Sequence, residues 1–171
     1  MKYFFICLLA LLALLAFTSC KKDSDDQQKQ KSFFRMKVDG VLKEYDSCWI
    51  LSFQQAAGAQ IYYQNNILCG RPGNYAGAAV NNIAPIKAAT YLSTVKNTAT
   101  GLPMAYLGAY RAPGSDDIYI SYQAGWPLYD ISITFTEYNS EYATGKFSGK
   151  LRLIGGSKVM EVTEGEFRAL N

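Results

Sequence analysis

The sequence contains no histidine, and this absence removes several large classes of function. Ser-His-Asp and Cys-His nucleophile systems, metal sites with histidine ligands and histidine pH switches all require an imidazole. The sequence also has no Walker loop, no Cys-x-x-Cys pair and no dinucleotide fingerprint. It therefore predicts a protein that is not an enzyme and holds neither a cofactor nor a metal. The alternative is a hydrolase that uses carboxylates alone.

Charge is scarce as well. Charged residues make up 18% of the chain, and the formal net charge is +3. Proteins that bind nucleic acid usually present a clustered basic face, which this sequence lacks, so we expect no nucleic-acid partner. The length of 171 residues and the hydrophobic content of 49% are typical of one globular domain with a packed core.

Long apolar runs are absent apart from one at the N-terminus. Residues 4–17 are apolar, follow Lys2 and precede the small polar residues Thr18 and Ser19. A membrane-spanning helix needs roughly 18 or more apolar residues, so this run is too short for a permanent span. The sequence predicts that residues 1–19 are a cleaved secretory signal.

The residues at the end of this signal, Phe17, Thr18, Ser19 and Cys20, resemble the lipobox of bacterial lipoproteins. Phe17 stands where that family usually has leucine. The resemblance implies that Cys20 becomes the N-terminus and carries two or three acyl chains such as palmitate, enough for stable anchoring. The membrane is therefore the first expected partner. The alternative is an ordinary secreted protein in which Cys20 is incidental.

A polar segment follows the cysteine. Residues 21–31 contain no apolar residue, so we expect residues 20–31 to be a lipidated cysteine and a solvated tether that reaches at most about 35 to 40 Å. Asp23, Asp25 and Asp26 resemble the acidic export signal of surface lipoproteins of the Bacteroidota. This resemblance implies an outer-membrane location with the domain at the cell surface. The alternative is the periplasmic face of that membrane.

Residues 32–171 predict a single all-β domain, because apolar residues alternate with a period of two and no helical period is visible. Phe34 and Val38 share one face of a first strand, and the pair Asp39 and Gly40 is typical of a two-residue hairpin turn. That turn would place Phe34 opposite Tyr45, where two aromatic side chains can pack across the strands.

A second hairpin is predicted from strands over residues 48–54 and 61–69 that turn near Gly58. This register places Cys48 opposite Cys69. The other two cysteines lie within the signal and at its end, and an exported protein meets an oxidising compartment, so we predict a disulfide. The alternative is a pair of buried reduced thiols.

About ten short strands are predicted in all, and the later ones cover residues 90–95, 105–111, 118–123, 128–138, 146–153, 158–163 and 166–170. One open sheet of that size would leave a face wet, so we predict an antiparallel β-sandwich. The alternative is a flattened calycin-like β-barrel. Residues 74–85 have no assignment, because their glycines and alanines offer little to pack.

Several segments resemble an uncharacterised group of Bacteroidota lipoproteins that is classified as a domain of unknown function. These segments are residues 89–92, 131–134, 145–149 and 162–167, and residues 36–45 are similar to the start of that domain. The resemblance implies a lipoprotein with an all-β domain. It implies no catalytic residue.

Three acidic residues are candidates for chemistry. Glu161 lies in an alternating strand and could act as an acid beside a ligand cavity, although such a residue more often faces solvent. Asp116 and Asp117 could ligate calcium, but no ladder of alternating oxygen ligands surrounds them. We therefore predict neither a catalytic carboxylate nor a metal site.

Aromatic residues form 14% of the chain, and one of them lies in a predicted loop. Trp126, with Tyr129 and Tyr122 nearby, is the predicted ligand-binding group, because exposed aromatic rings stack on sugars and apolar ligands. The alternative is an indole packed over the end of the sandwich. The predicted function is a lipid-anchored, non-catalytic domain that binds a ligand, with a glycan first. The alternative is an accessory lipoprotein that docks an outer-membrane protein partner.

Overall fold

The computed structural model describes residues 31–171, and every regular element in this range is a β-strand. Residues 1–30, with the predicted signal, Cys20 and most of the tether, lie outside the described residues. The strands are β1 (Phe33–Val38), β2 (Val41–Asp46), β3 (Cys48–Ala57), β4 (Gln60–Arg71), β5 (Asn74–Asn82), β6 (Thr90–Leu92), β7 (Ala105–Leu107), β8 (Tyr119–Ile120), β9 (Ser132–Tyr138), β10 (Tyr142–Leu153) and β11 (Val159–Leu170). Across residues 31–171 there is no helix with the length and apolarity that a membrane crossing requires.

The strands pair in the order β6, β9, β10, β11, β3, β4, β5 and β7, while β1 joins β11 to β2 and β8 joins β10. All pairs are antiparallel except one parallel contact between Leu170 of β11 and Trp49 of β3. In the described part of the chain the sheet does not close, and its apolar faces enclose one core as in a sandwich. The predicted all-β sandwich is confirmed, and the barrel alternative is wrong.

Both predicted hairpins form in the predicted register. Phe34 lies opposite Tyr45 in the first, and the turn residues Asp39 and Gly40 have φ angles of 49° and 80°. Positive φ at both central positions is the requirement of a type I′ turn, which matches the twist of the flanking strands. The carboxylate of Asp39 also accepts a hydrogen bond from the backbone N–H of Glu161, so the turn is held against β11.

Other strands differ from the prediction in their extent. The two strands predicted over residues 158–163 and 166–170 form the single strand β11, which continues through Glu164 at a φ of 50°. The unassigned residues 74–85 contain the nine-residue strand β5. Its alanines and glycine are buried because β4 and β7 pair with it on both sides, so neighbours rather than propensity determine this strand.

Aromatic rings fill the centre of the core. Phe34 stacks on Phe147 with ring centroids 4.4 Å apart, and Phe135 meets Phe167 edge to face at 5.4 Å. Between β10 and β11, Phe147 lies opposite Gly165 in the strand register. The glycine leaves the space into which the ring packs, so these strands interlock by shape.

Cys48 and Cys69 lie opposite each other at disulfide distance, with their Cα atoms 4.3 Å apart. Both side chains are buried in the core. The hydroxyl of Ser32 accepts a hydrogen bond of 2.9 Å from the backbone N–H of Cys48, so the chain enters the fold beside this pair. The predicted cysteine pairing is confirmed.

Replacing both cysteines by alanine should lower the free energy of unfolding by about 2 to 4 kcal/mol, because the unfolded chain is no longer closed into a loop. Urea unfolding of the double variant and of the wild type, each with and without reductant, measures this loss. Reductant should destabilise the wild type alone. Two free thiols in denatured, unreduced wild type would contradict the pairing.

Candidate functional site

The sequence-predicted site around Trp126 lies in an irregular segment before β9. The backbone N–H of Trp126 donates to the carbonyl of Gln123 at 3.0 Å, and the guanidinium of Arg152 lies 4.8 Å from the centre of the indole ring. Tyr129 packs against the core, and Tyr122 is half-buried. Trp126 thus has a cation partner within the protein, and its role in ligand binding stays a prediction.

The three acidic candidates, Glu161, Asp116 and Asp117, are not grouped around a site. Glu161 is exposed on β11. Asp116 forms an ion pair with Arg111, and the hydroxyl of Tyr119 lies 3.5 Å from Asp117. Within residues 31–171, no three side chains of histidine, cysteine, aspartate or glutamate form a group that could hold a metal ion.

A different site lies on the outer face of the sheet, where β3, β4, β5 and β7 run side by side. An open cavity of about 360 Å³ occupies this face. We call it the outer groove and define it by six of its lining residues: Trp49, Leu68, Gly77, Ala79, Tyr106 and Gly108. The sequence-based interpretation did not identify it.

The strand register creates the depression. Along one row across the sheet, Trp49 lies opposite Leu68 and Leu68 lies opposite Gly77. Gly108 then donates its backbone N–H to the carbonyl of Gly77 at 2.9 Å. Side-chain bulk therefore falls from an indole to bare backbone within one row, and the two glycines form the floor of the groove.

The next row places polar groups beside this floor. Ala79 lies opposite Tyr106, and Asn66 lies opposite Ala79. The side-chain amide of Gln64 donates to the Tyr106 hydroxyl at 3.0 Å and to Asn66 Oδ1 at 2.9 Å. Burial raises the pKa of Tyr106, with a smaller contribution from Tyr62, so its hydroxyl keeps a proton that it can donate.

The groove lies in a region without negative charge. No aspartate or glutamate occurs between Asp46 and Asp116 in the sequence. Of the described residues that line the groove, none carries a carboxylate, and Arg71 is at one end. The apolar, aromatic and amide groups of this lining are typical of sites that bind by stacking and hydrogen bonding.

An exposed apolar row continues from the groove along β3. Trp49, Leu51 and Phe53 are 42%, 41% and 41% exposed on the same face. Monomeric proteins rarely leave neighbouring large apolar side chains uncovered without a function for them. The sequence did contain a signal for this row. Residues 48–51 are all apolar, although only Cys48 and Ile50 point into the core, so Trp49 and Leu51 are apolar residues on the outward face.

Comparison with known proteins identifies no relative of this chain. No protein-family model, no curated protein and no solved structure matches it. The resemblance to Bacteroidota lipoproteins therefore stays a prediction, and the geometry of the outer groove has to support the functional interpretation.

Proposed function

We propose that the chain is a lipid-anchored, non-catalytic domain of the cell envelope that binds a glycan in the outer groove. The observation that carries this proposal is the combination of the Trp49 and Tyr106 rings, a floor of glycine backbone and a neighbouring pair of amide side chains. A sugar ring has apolar faces and a rim of hydroxyl groups. Aromatic rings match the faces, and the amides of Gln64 and Asn66 match the hydroxyls.

The size and shape of the groove support a short segment of glycan chain. Its volume of about 360 Å³ is near the lower end of the range of roughly 300 to 1,000 Å³ for small-molecule sites. The groove is open, and Leu51 and Phe53 extend its apolar surface along β3. A longer glycan can therefore continue beyond the groove without meeting a wall.

A glycan-array screen of residues 32–171, which form one compact unit, tests the proposed function. We expect the wild type to bind a restricted set of glycans, Trp49→Ala to lose them and Trp126→Ala to retain them. Loss with Trp126→Ala alone would move the site to the loop that the sequence predicts. A folded wild type that binds no glycan would contradict the proposal.

The anchoring half of the proposal predicts that Cys20→Ser loses its acyl chains. Cells grown with a clickable fatty acid should label the wild type and leave Cys20→Ser unlabelled, because the thiol that carries the lipid is gone. Cys7→Ser is the matched control and should stay labelled. Label on Cys20→Ser would contradict the lipid anchor.

The orientation of the domain is part of the same proposal. The acidic residues after Cys20 favour the outer surface, and the periplasmic face is the alternative. Protease added to intact cells should cleave a surface domain and spare a periplasmic one.

A second candidate function is the docking of an outer-membrane protein partner. It is favoured by the exposed row of Trp49, Leu51 and Phe53, which a protein could cover as well as a glycan. The array separates the two candidates, because a partner-docking surface gives no selective glycan binding.

A further inference from the structure

One edge of β3 has no neighbouring strand over most of its length. Along one side, β3 pairs with β4 from Cys48 to Ala57. Along the other side, within residues 31–171, its single partner is Leu170 of β11, which lies beside Trp49. From Leu51 onward the backbone N–H and C=O groups of this edge are therefore available to another strand.

The hairpin of β3 and β4 also extends beyond the core. Residues 51–56 and 58–61 are exposed on both faces of the ribbon, and the pairing of β4 with β5 ends at Tyr63 and Asn82. An isolated two-stranded ribbon is only marginally stable in water. An added strand would therefore stabilise the part of the hairpin that the core does not support.

The other long edge of the sheet is different. Within the described residues β2 pairs only with β1, and it carries the charged residues Lys43, Glu44 and Asp46. Charged side chains are a common means of preventing unwanted strand pairing at an edge. By contrast, the sequence has no charged residue between Asp46 and Arg71, so the β3 edge lacks this protection.

We infer that the β3 edge pairs antiparallel with the same edge of a second copy of this chain. In a two-fold pairing each strand lies beside an identical strand, so a charged side chain on one copy would be near the same charge on the other. The β3 edge carries no charged side chain, so this repulsion does not arise. Gln54 and Gln55 carry amides with both donors and acceptors, which can hydrogen-bond to their own copies.

This dimer goes beyond the proposed ligand binding but would extend the same surface. Strand pairing keeps the alternation of faces, so the rows of Trp49, Leu51 and Phe53 from the two copies would join on one side of a continuous sheet. The two outer grooves would then open on the same face. A polymeric ligand could contact both.

The area available makes this a weak dimer in dilute solution. Only residues 51–57 of β3 are left to pair, because Leu170 already lies beside Trp49. Pairing of one such short strand with its copy buries less than the roughly 1,200 Å² of a stable complex. If the chain is anchored as proposed, confinement to a membrane raises the effective concentration and favours pairing.

Crosslinking of the full chain in its own cells tests the inference. Gln54→Cys places a thiol near the centre of the unpaired edge, and a short bis-maleimide should convert this variant to a species of twice the mass. Glu44→Cys is the matched control, because it also places a thiol at an exposed position, on the charged β2 edge. Chance collisions crosslink both variants to the same extent, so the control measures this background. It should stay largely monomeric.

A second change separates pairing from accessibility. Adding Ala56→Lys to Gln54→Cys places a charge on the uncharged edge, as natural edge strands do to prevent pairing, so the crosslinked dimer should be lost. Peptide mapping of the Cys48 and Cys69 pair shows whether this variant still folds. Equal crosslinking of Gln54→Cys and Glu44→Cys would overturn the inference. So would crosslinking of Gln54→Cys to a different protein or to the N-terminal segment of its own chain.

Discussion

Replacing Trp49 by alanine is expected to weaken glycan binding by about thirtyfold or more. Aromatic residues at the centre of a binding site commonly contribute about 2 kcal/mol or more, and this free energy corresponds to a factor of about thirty in the dissociation constant. More than half of the Trp49 surface is buried, so urea unfolding has to show first that the variant is folded. Calorimetric titration with a glycan from the array measures the change.

Two further variants show whether the groove itself is responsible. Phe53→Ala removes an equally exposed ring from the same strand and face but beyond the described residues that line the groove. A glycan short enough to stay within the groove should bind this variant almost as it binds wild type. Gly108→Ala adds a methyl group to the floor, where it meets the Gly77 backbone at an ordinary 3.4 Å. This variant should fold and bind weakly. Equal losses from Trp49→Ala and Phe53→Ala would contradict a site in the groove.

Gly165→Ala is expected to destabilise the domain by about 3 kcal/mol, at the upper end of the cost of overpacking a core. A Cβ atom at this position would lie 2.6 Å from two ring carbons of Phe147 and would also meet the carbonyl oxygen of Phe147. The ring is buried in the core and the carbonyl belongs to the neighbouring strand, so neither can move away freely. Denaturant unfolding measures the loss.

Gly108→Ala is also the control for this prediction. Neither glycine has a φ angle in the left-handed region, and both contact a neighbouring strand, but only Gly165 lies against an aromatic ring. Gly108→Ala should therefore unfold at nearly the denaturant concentration of the wild type. Equal destabilisation of the two variants would show that glycine conformation, and not the packing of Phe147, is responsible.

Local turn chemistry explains why both N-terminal hairpins could be predicted from the sequence. Asp39 and Gly40 adopt the positive φ angles of a type I′ turn, and the turn at Gly58 determines the register that brings Cys48 opposite Cys69. These features depend on residues close together in the chain. A hairpin register also specifies its cross-strand pairs, so the cysteine pairing followed from the turn.

The outer groove depends on residues that are distant in the chain, which is why the sequence did not indicate it. Gly77 and Gly108 meet only because β5 and the segment after β7 are neighbours in the sheet. The sequence favours Trp126 because it lies in a predicted loop, yet the guanidinium of Arg152 lies over its ring. Trp49 lies in a strand whose first residues are all apolar, a pattern typical of a strand buried on both faces.

The chain contains only two tryptophans, and this makes fluorescence the most direct test of where the ligand binds. Trp126→Phe leaves Trp49 as the single reporter, and Trp49→Phe leaves Trp126. If a glycan stacks in the outer groove, titration should change the emission of the Trp126→Phe variant and leave that of the Trp49→Phe variant unaltered. A saturable change seen only in the Trp49→Phe variant would place the ligand at Trp126 and contradict binding in the groove.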